Sequence, residues 1–192
     1  MPDPNPAALD FLLTRRSRPA KTLNAPAPAR EALMPILQAA ARTPDHGKLE
    51  PWRMIVLERA ALDRLAGAAT DHAAKLGLEP EVAEKGRKQF ADSPLCVAVI
   101  EVQRASPKIP EIEQTYSAGA VCLALLNAAL ASGWGANWLS GWVAHDRAFV
   151  EAHLGLGANE RVAGYLHLGT ESSVPPDRPR PDLDTITTWV SA

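Results

Sequence analysis

Apolar positions recur along this chain with two different periods, and the alternation between them predicts helices interleaved with strands. Leu9, Leu12 and Leu13 share one side of a helix that Asn5 caps and Pro6 opens. After Pro28, residues Leu33, Ile36, Leu37 and Ala40 fall at i, i+3, i+4 and i+7 and predict a second helix. The segment Arg42-Thr43-Pro44-Asp45-His46-Gly47 ends it, since Pro, Asp and Gly favour turns. WRMIVLE at 52–58 predicts a strand, and 59–92 a helical stretch interrupted at Gly77-Leu78-Glu79-Pro80. PLCVAVIEV at 94–102 is almost continuously apolar and rich in β-branched residues, the pattern of a buried strand. RASPKIPEIEQ at 104–114, with two prolines and mixed charge, predicts an exposed loop.

The next helix, 117–132, is apolar nearly all round and must be covered on every side. Either a partner subunit supplies part of that cover, with its Ala and Gly residues allowing close approach, or the helix is buried within a monomer. GWGANWLSGWV at 133–143 follows, then a short helix at 145–154, a strand at 161–170 and a proline-rich tail. No linker divides the chain, so 1–192 reads as one domain whose tail, from about 171, extends to wrap a neighbour.

Composition narrows the chemistry. Lys and Arg total 20 against 22 Asp and Glu, giving a net charge of −2 and a pI near 6.2, which argues against a dedicated nucleic-acid binder. The apolar runs at 94–100 and 118–131 are too short or too rich in small residues to read as membrane spans. No secretory leader pattern opens the chain, and Cys96 and Cys122 lie in apolar runs, so the expectation is a soluble cytoplasmic protein with reduced thiols. Phosphate-binding glycine loops, the GxSxG elbow and zinc-ligand spacings are all missing, so no metal site is expected.

Local clusters remain, each open to two readings. Arg15 and Arg16, placed in the last turn of the first helix, either complement its dipole, worth about 0.3–1 kcal/mol each, or clamp a phosphate with Ser17 as an added donor. The stretch 44–52 is a proline-locked loop before a strand, an ordinary turn or a binding loop. The stretch 133–142 sets tryptophans among glycines, which suits either a bulged core strand or a flat ligand. The strand 164–170 reads as buried sheet, with His167 a satisfied sheet histidine.

In this order, Arg15-Arg16-Ser17, Ala41 to His46 running into Pro51-Trp52, Ser117-Ala118-Gly119, Gly133 to Gly141 and Gly164 to Thr170 resemble the FMN-dependent nitroreductases, most closely their short bacterial YdjA-type branch. The resemblance covers almost the whole chain. It implies an α+β fold with a mixed sheet flanked by helices, in an intertwined homodimer with FMN at the subunit interface. By similarity, Arg15, Arg16 and Ser17 take the phosphate and ribityl chain or the nearby ring edge, and Arg42 and His46 reach the same flavin from the partner. Trp138, Leu139 and Ser140 line the ring and ribityl side.

The implied activity passes hydride from NADH or NADPH through flavin N5 to a small-molecule acceptor such as a nitro compound or quinone. The cofactor carries the reactivity, so no catalytic side chain is assigned. Two departures qualify the match: His46 and Glu50 stand where the family commonly has polar amides, and Leu139 stands where the YdjA type carries Arg. Arg178 and Arg180 are candidates for a substitute cation. A flavin-binding protein without turnover, serving storage, sensing or delivery, is the alternative.

Overall fold

The computed structural model describes residues 3–191. Its centre is the strand that sequence pattern marks most strongly. β3 (Leu95–Val102) is buried along its whole length, which requires cover on both faces of the sheet. Its alternate side chains divide accordingly. Cys96, Ala98, Ile100 and Val102 join one core, whereas Leu95, Val97 and Val99 join another. The first core is closed by α3 (Arg59–Leu76), α4 (Pro80–Ala91), α6 (Trp142–His145) and α7 (Arg147–Leu154), the second by α2 (Arg30–Ala40) and α5 (Glu111–Ala131).

β3 pairs with β2 (Trp52–Leu57) on one side and β5 (Glu160–Glu171) on the other, and β5 also pairs with β4 (Gly135–Leu139) and the short β1 (Leu23–Asn24). The helix-flanked α+β architecture matches expectation, but strand directions are not mixed: each pairing within the chain is antiparallel. The connections explain this. Packed as a hairpin, α3 and α4 return the chain to the end of the sheet where β2 finished. A single helix, α5, joins β3 to β4, which makes those two parallel, but β5 lies between them. A bulge at Ala163 shifts the register, since Val99 opposes Gly164 while Ile100 opposes Val162. Val162 and Tyr165 thereby face the same core although three residues apart.

Several boundaries move from expectation. α1 (Pro6–Thr14) ends with Arg15 as its C-cap, so neither Arg15 nor Arg16 lies in the last helical turn. α5 begins at Glu111, inside the stretch read as a loop, because Pro110 precedes the first turn and Glu111 and Glu113 favour it. By length and composition α5 could cross a membrane, yet Val121, Cys122, Leu125, Leu126 and Ala129 are buried in the second core. Its opposite side leaves Ile112, Tyr116 and Leu123 exposed, and α1 likewise exposes Leu9, Leu12 and Leu13. The tail crosses the surface with Leu183, Ile186 and Trp189 open to solvent.

Candidate functional site

The segment from Arg15 to Lys21 runs beside β4, pinned where the Arg18 N–H donates to the Ala136 carbonyl at 2.8 Å and Asn137 Nδ2 donates to the Arg18 carbonyl at 2.6 Å. Each end of this two-stranded track opens into a recess. At the Gly135 end, a cavity of 310 Å³ is lined by Arg15, Arg16, Arg18, Trp134 and Glu171. At the Leu139 end, a cavity of 190 Å³ is lined by Ala20, Lys21, Lys85, Lys88, Gln89, Ser93 and Leu139, with the carboxylate of Asp92 among the lysines. β4 has five residues, so about 14 Å of extended strand separates the two.

The arginines at the first recess differ in how well they are paired. Arg18 forms an ion pair with Glu171 and fastens the loop to β5. Arg16 is held by the tail, donating to the Pro176 carbonyl and lying 3.3 Å from the Asp177 carboxylate. Arg15 Nη2 donates to Ser17 Oγ at 3.0 Å, while its Nε is buried with no partner. Burial lowers the Arg15 pKa, and the charges of Arg180, Arg16 and Arg18 lower it further. A buried, unpaired guanidinium donor surrounded by like charge is costly until an anion arrives. The group therefore fits a phosphate, and of the tail cations it is Arg180, 3.3 Å from Asp177, whose charge acts on Arg15.

Trp138, Leu139 and Ser140 do not act together. Successive side chains of β4 alternate in direction, so Leu139 lines the lysine cavity and Trp138 turns to the other face. There the indole lies over Gly164, where an added Cβ would sit 2.0 Å from Trp138 Nε1. Ser140 contributes its carbonyl, which accepts from Gln89 Nε2. Arg42 and His46 stand apart from both recesses. Arg42 is exposed, and His46 lines a separate 390 Å³ hollow with Glu113, Tyr116 and Ser117. His46 Nδ1 is 2.7 Å from Glu113 Oε2, and Ser117 Oγ donates to the Pro44 carbonyl at 2.9 Å, tying the loop to α5. Gly47, Lys48 and Glu50 have φ of 72°, 56° and 46°. The positive φ is what favours glycine at 47; a Cβ there would also meet Ile109 Cδ1 at 2.5 Å, which the end of that side chain would have to move to relieve. Glu50 is exposed, and its N–H donates to Asp45 Oδ2.

Sequence reasoning missed Lys21, Lys85, Lys88 and Gln89. A usable signal existed: a cation lost at Leu139 calls for another nearby, and Lys85 and Lys88 share one face of a predicted helix at i, i+3. Among the described residues no cluster of His, Cys, Asp and Glu could hold a metal ion.

Comparison with known proteins bears on the family and the fold. Residues 12–170 match the model of the nitroreductase family. Over 163 residues the chain is 34% identical to a protein of Escherichia coli strain K12 named "Putative NAD(P)H nitroreductase YdjA", covering 85% of this chain and 87% of that one. It is 35% identical over 164 residues to "Putative NAD(P)H nitroreductase" of Haemophilus influenzae, covering 85% and 88%. Among solved structures, a nitroreductase-like family protein from Bacillus cereus superimposes with a TM-score of 0.78 at 22% identity, over 100% of each chain. A nitroreductase from Desulfovibrio desulfuricans, solved in complex with FMN and named there as putative, gives 0.76 at 22% identity over 98% of this chain and 99% of that one. At that identity the structural likeness speaks for the fold.

Proposed function

Because this chain belongs to the nitroreductase family, we propose that it is an FMN-dependent NAD(P)H oxidoreductase that passes hydride to a small acceptor such as a nitro compound or quinone. The observation that carries the reading is the pair of recesses along β4, one built from arginines with a buried unpartnered donor, the other from lysines beside Leu139. FMN is itself two-ended, with a phosphate dianion joined by a ribityl chain to a flat ring. The Desulfovibrio desulfuricans protein of the same fold, solved in complex with FMN, supports the assignment.

When bound, FMN supplies hydride transfer between a nicotinamide and an acceptor. Arg15 and Arg16 bind the phosphate, and Ser17 holds the Arg15 fork in place. Leu139 keeps water from the ring, and Lys85 and Lys88 answer the loss of Arg at 139 by offering positive charge to the ring edge where negative charge develops. No side chain here is needed as acid or base.

Arg42 and His46 reach this flavin only from a second copy, since they lie apart from both recesses in their own chain. The exposed apolar faces of α1 and α5 and the open tail supply surface for such a homodimer. The test is direct: protein purified or reconstituted with FMN shows flavin absorbance that NADH or NADPH bleaches and a nitroaromatic or quinone restores. Failure to take up FMN sinks the reading, and a bound flavin that neither nicotinamide bleaches leaves a flavin holder without turnover.

A further inference from the structure

Glycine inside a helix is unfavourable beside alanine, since it loses more backbone freedom on folding and packs no side chain. α4 nevertheless carries Gly86 at its middle, buried and with no positive φ to call for it. The reason is a close approach. A Cβ at 86 would stand 2.3 Å from Trp142 Nε1, 2.6 Å from its Cε2 and 2.8 Å from its Cζ2, whereas carbon atoms rest at about 3.5–4.0 Å. The indole therefore lies directly against the backbone of α4.

Trp142 is not free to give way. Its ring stacks on His72 of α3, with centroids 6.0 Å apart and planes at 11°, and meets Phe149 of α7 edge-on at 5.5 Å. Its carbonyl accepts from the Asp146 N–H at 2.8 Å. The Asp146 carboxylate is held in turn by His72 Nε2 at 2.9 Å and by the Phe149 N–H at 2.8 Å. α3 and α7 thus keep the indole in place.

The contact belongs to a stripe. Val82, Gly86 and Gln89 recur at i, i+4 and i+7 on one face of α4, and each meets the segment that continues β4 beyond Leu139. The Val82 carbonyl accepts from Trp142 Nε1 at 3.2 Å, Gly86 meets the indole, and Gln89 Nε2 donates to the Ser140 carbonyl. The adjoining stripe, Lys85, Lys88, Gln89 and the C-cap Asp92, lines the cavity together with Leu139. One stripe rests on the continuation of the strand and the next faces the cavity. The height of α4 over Trp142 therefore sets the spacing between the two walls.

We propose that Trp142 and Gly86 are a positioning pair: the indole is the seat of α4, and it fixes how far the charges on that helix stand from the ring end of FMN, a placement that rests on the FMN reading. Lys85 and Lys88 set two ammonium groups against the one carboxylate of Asp92 on the cavity stripe. Lifting α4 therefore withdraws net positive charge, which a reduced, anionic ring feels more than an oxidised, neutral one.

The test is a double-mutant cycle read by the ratio of the dissociation constants of oxidised and two-electron-reduced FMN, with thermal melting beside it. Gly86→Ala should weaken reduced FMN relative to oxidised FMN by about tenfold, the scale of one hydrogen bond to a charged group. Phenylalanine at 142 is smaller and leaves room for a Cβ at 86, so in a Trp142→Phe background the same substitution should change the ratio by less than about twofold. An equal effect in both backgrounds overturns the pairing. A lower melting temperature with the wild-type ratio marks a role in the fold alone and overturns it too. Trp142→Phe by itself, which leaves α4 untouched, should move the ratio at least about threefold; a ratio unmoved there overturns the seat even where Gly86→Ala does not fold. Wild-type protein that takes up no FMN overturns the pairing together with the FMN reading.

Discussion

β5 has arginines gathered at both of its ends, and the two groups live under different rules. At the Glu160 end three guanidiniums are matched by groups of the chain itself. Arg53 forks onto Glu160 at 2.6 and 2.8 Å, Arg161 forks onto the buried Glu101, and Arg147 donates to the carbonyls of Leu156, Gly157 and Glu160. At the Glu171 end Arg18 alone has a carboxylate from the sheet, Arg16 relies on an exposed tail acid, and Arg15 keeps a buried nitrogen unmatched. The residue type is the same, and the poorly matched end is the less exposed one, with Arg16 and Arg18 side chains 20% and 21% exposed against 39%, 41% and 59% for Arg53, Arg147 and Arg161. What differs is whether the chain supplies the anion itself. A matched arginine holds the fold, and one with a buried, unmatched donor marks where something else binds.

The contrast breaks first, and most visibly, at the matched end. Arg161→Ala leaves Glu101 buried with only Thr115 and Gln103 to donate to it, and should cost about 3 kcal/mol in urea unfolding with flavin affinity unchanged. The same end should fail in acid. Arg53 holds the Glu160 carboxyl at about 2 instead of 4.5. The unfolded chain therefore takes up that proton first, and stability present above pH 4.5 is lost as pH falls toward 2. The loss reaches up to about 3 kcal/mol before discounting for the partly exposed Arg53. Glu160→Gln should flatten that part of the pH–stability curve.

The unmatched end should respond in affinity instead. Arg16→Ala should weaken FMN retention by about tenfold or more with little change in melting. Arg18→Ala should lower stability by about 1 kcal/mol and affect retention far less, and equal effects on retention would refute the assignment. The smallest effect belongs to the tail. Asp177→Asn removes an exposed competitor for Arg16 and should tighten FMN binding by no more than about fivefold, measured by fluorescence titration.

How legible all this was depended on range. β3 declared itself because a short, nearly continuous apolar run rich in β-branched residues has the pattern of an inner strand, and Gly77 to Pro80 marked the break between α3 and α4 because a left-handed Gly77 and a proline at the next helix start are local chemistry. Arg15, Arg16 and Ser17 were visible as a cluster. Their unequal pairing was not, because Glu171 and Asp177 are more than 150 residues away and only the folded sheet brings them close. Lys85, Lys88 and Gln89 looked like the polar side of a surface helix. Their meaning depends on Leu139 arriving from another strand. The antiparallel pairing of β3 and β5 was equally hidden, since strand order is decided by which helices pack as hairpins.

Ala163 carries one more consequence. The extra residue in β5 works like a half-step in a staircase: below it, odd and even positions serve one assignment of faces, and above it the other. Deleting Ala163 would close the step without turning any residue above it. Val162 and Gly164 would become neighbours opposite Ile100 and Val99, the partners each has already, and Tyr165 would keep its hydrogen bond to the Val143 carbonyl. β4, in register with that same flight, would stay where it is, with Leu139 toward the lysine cavity and Trp138 over Gly164. An insertion or deletion at Gly164 or beyond has no such spare step to use up: it would trade one interior for the other and carry the flavin wall with it.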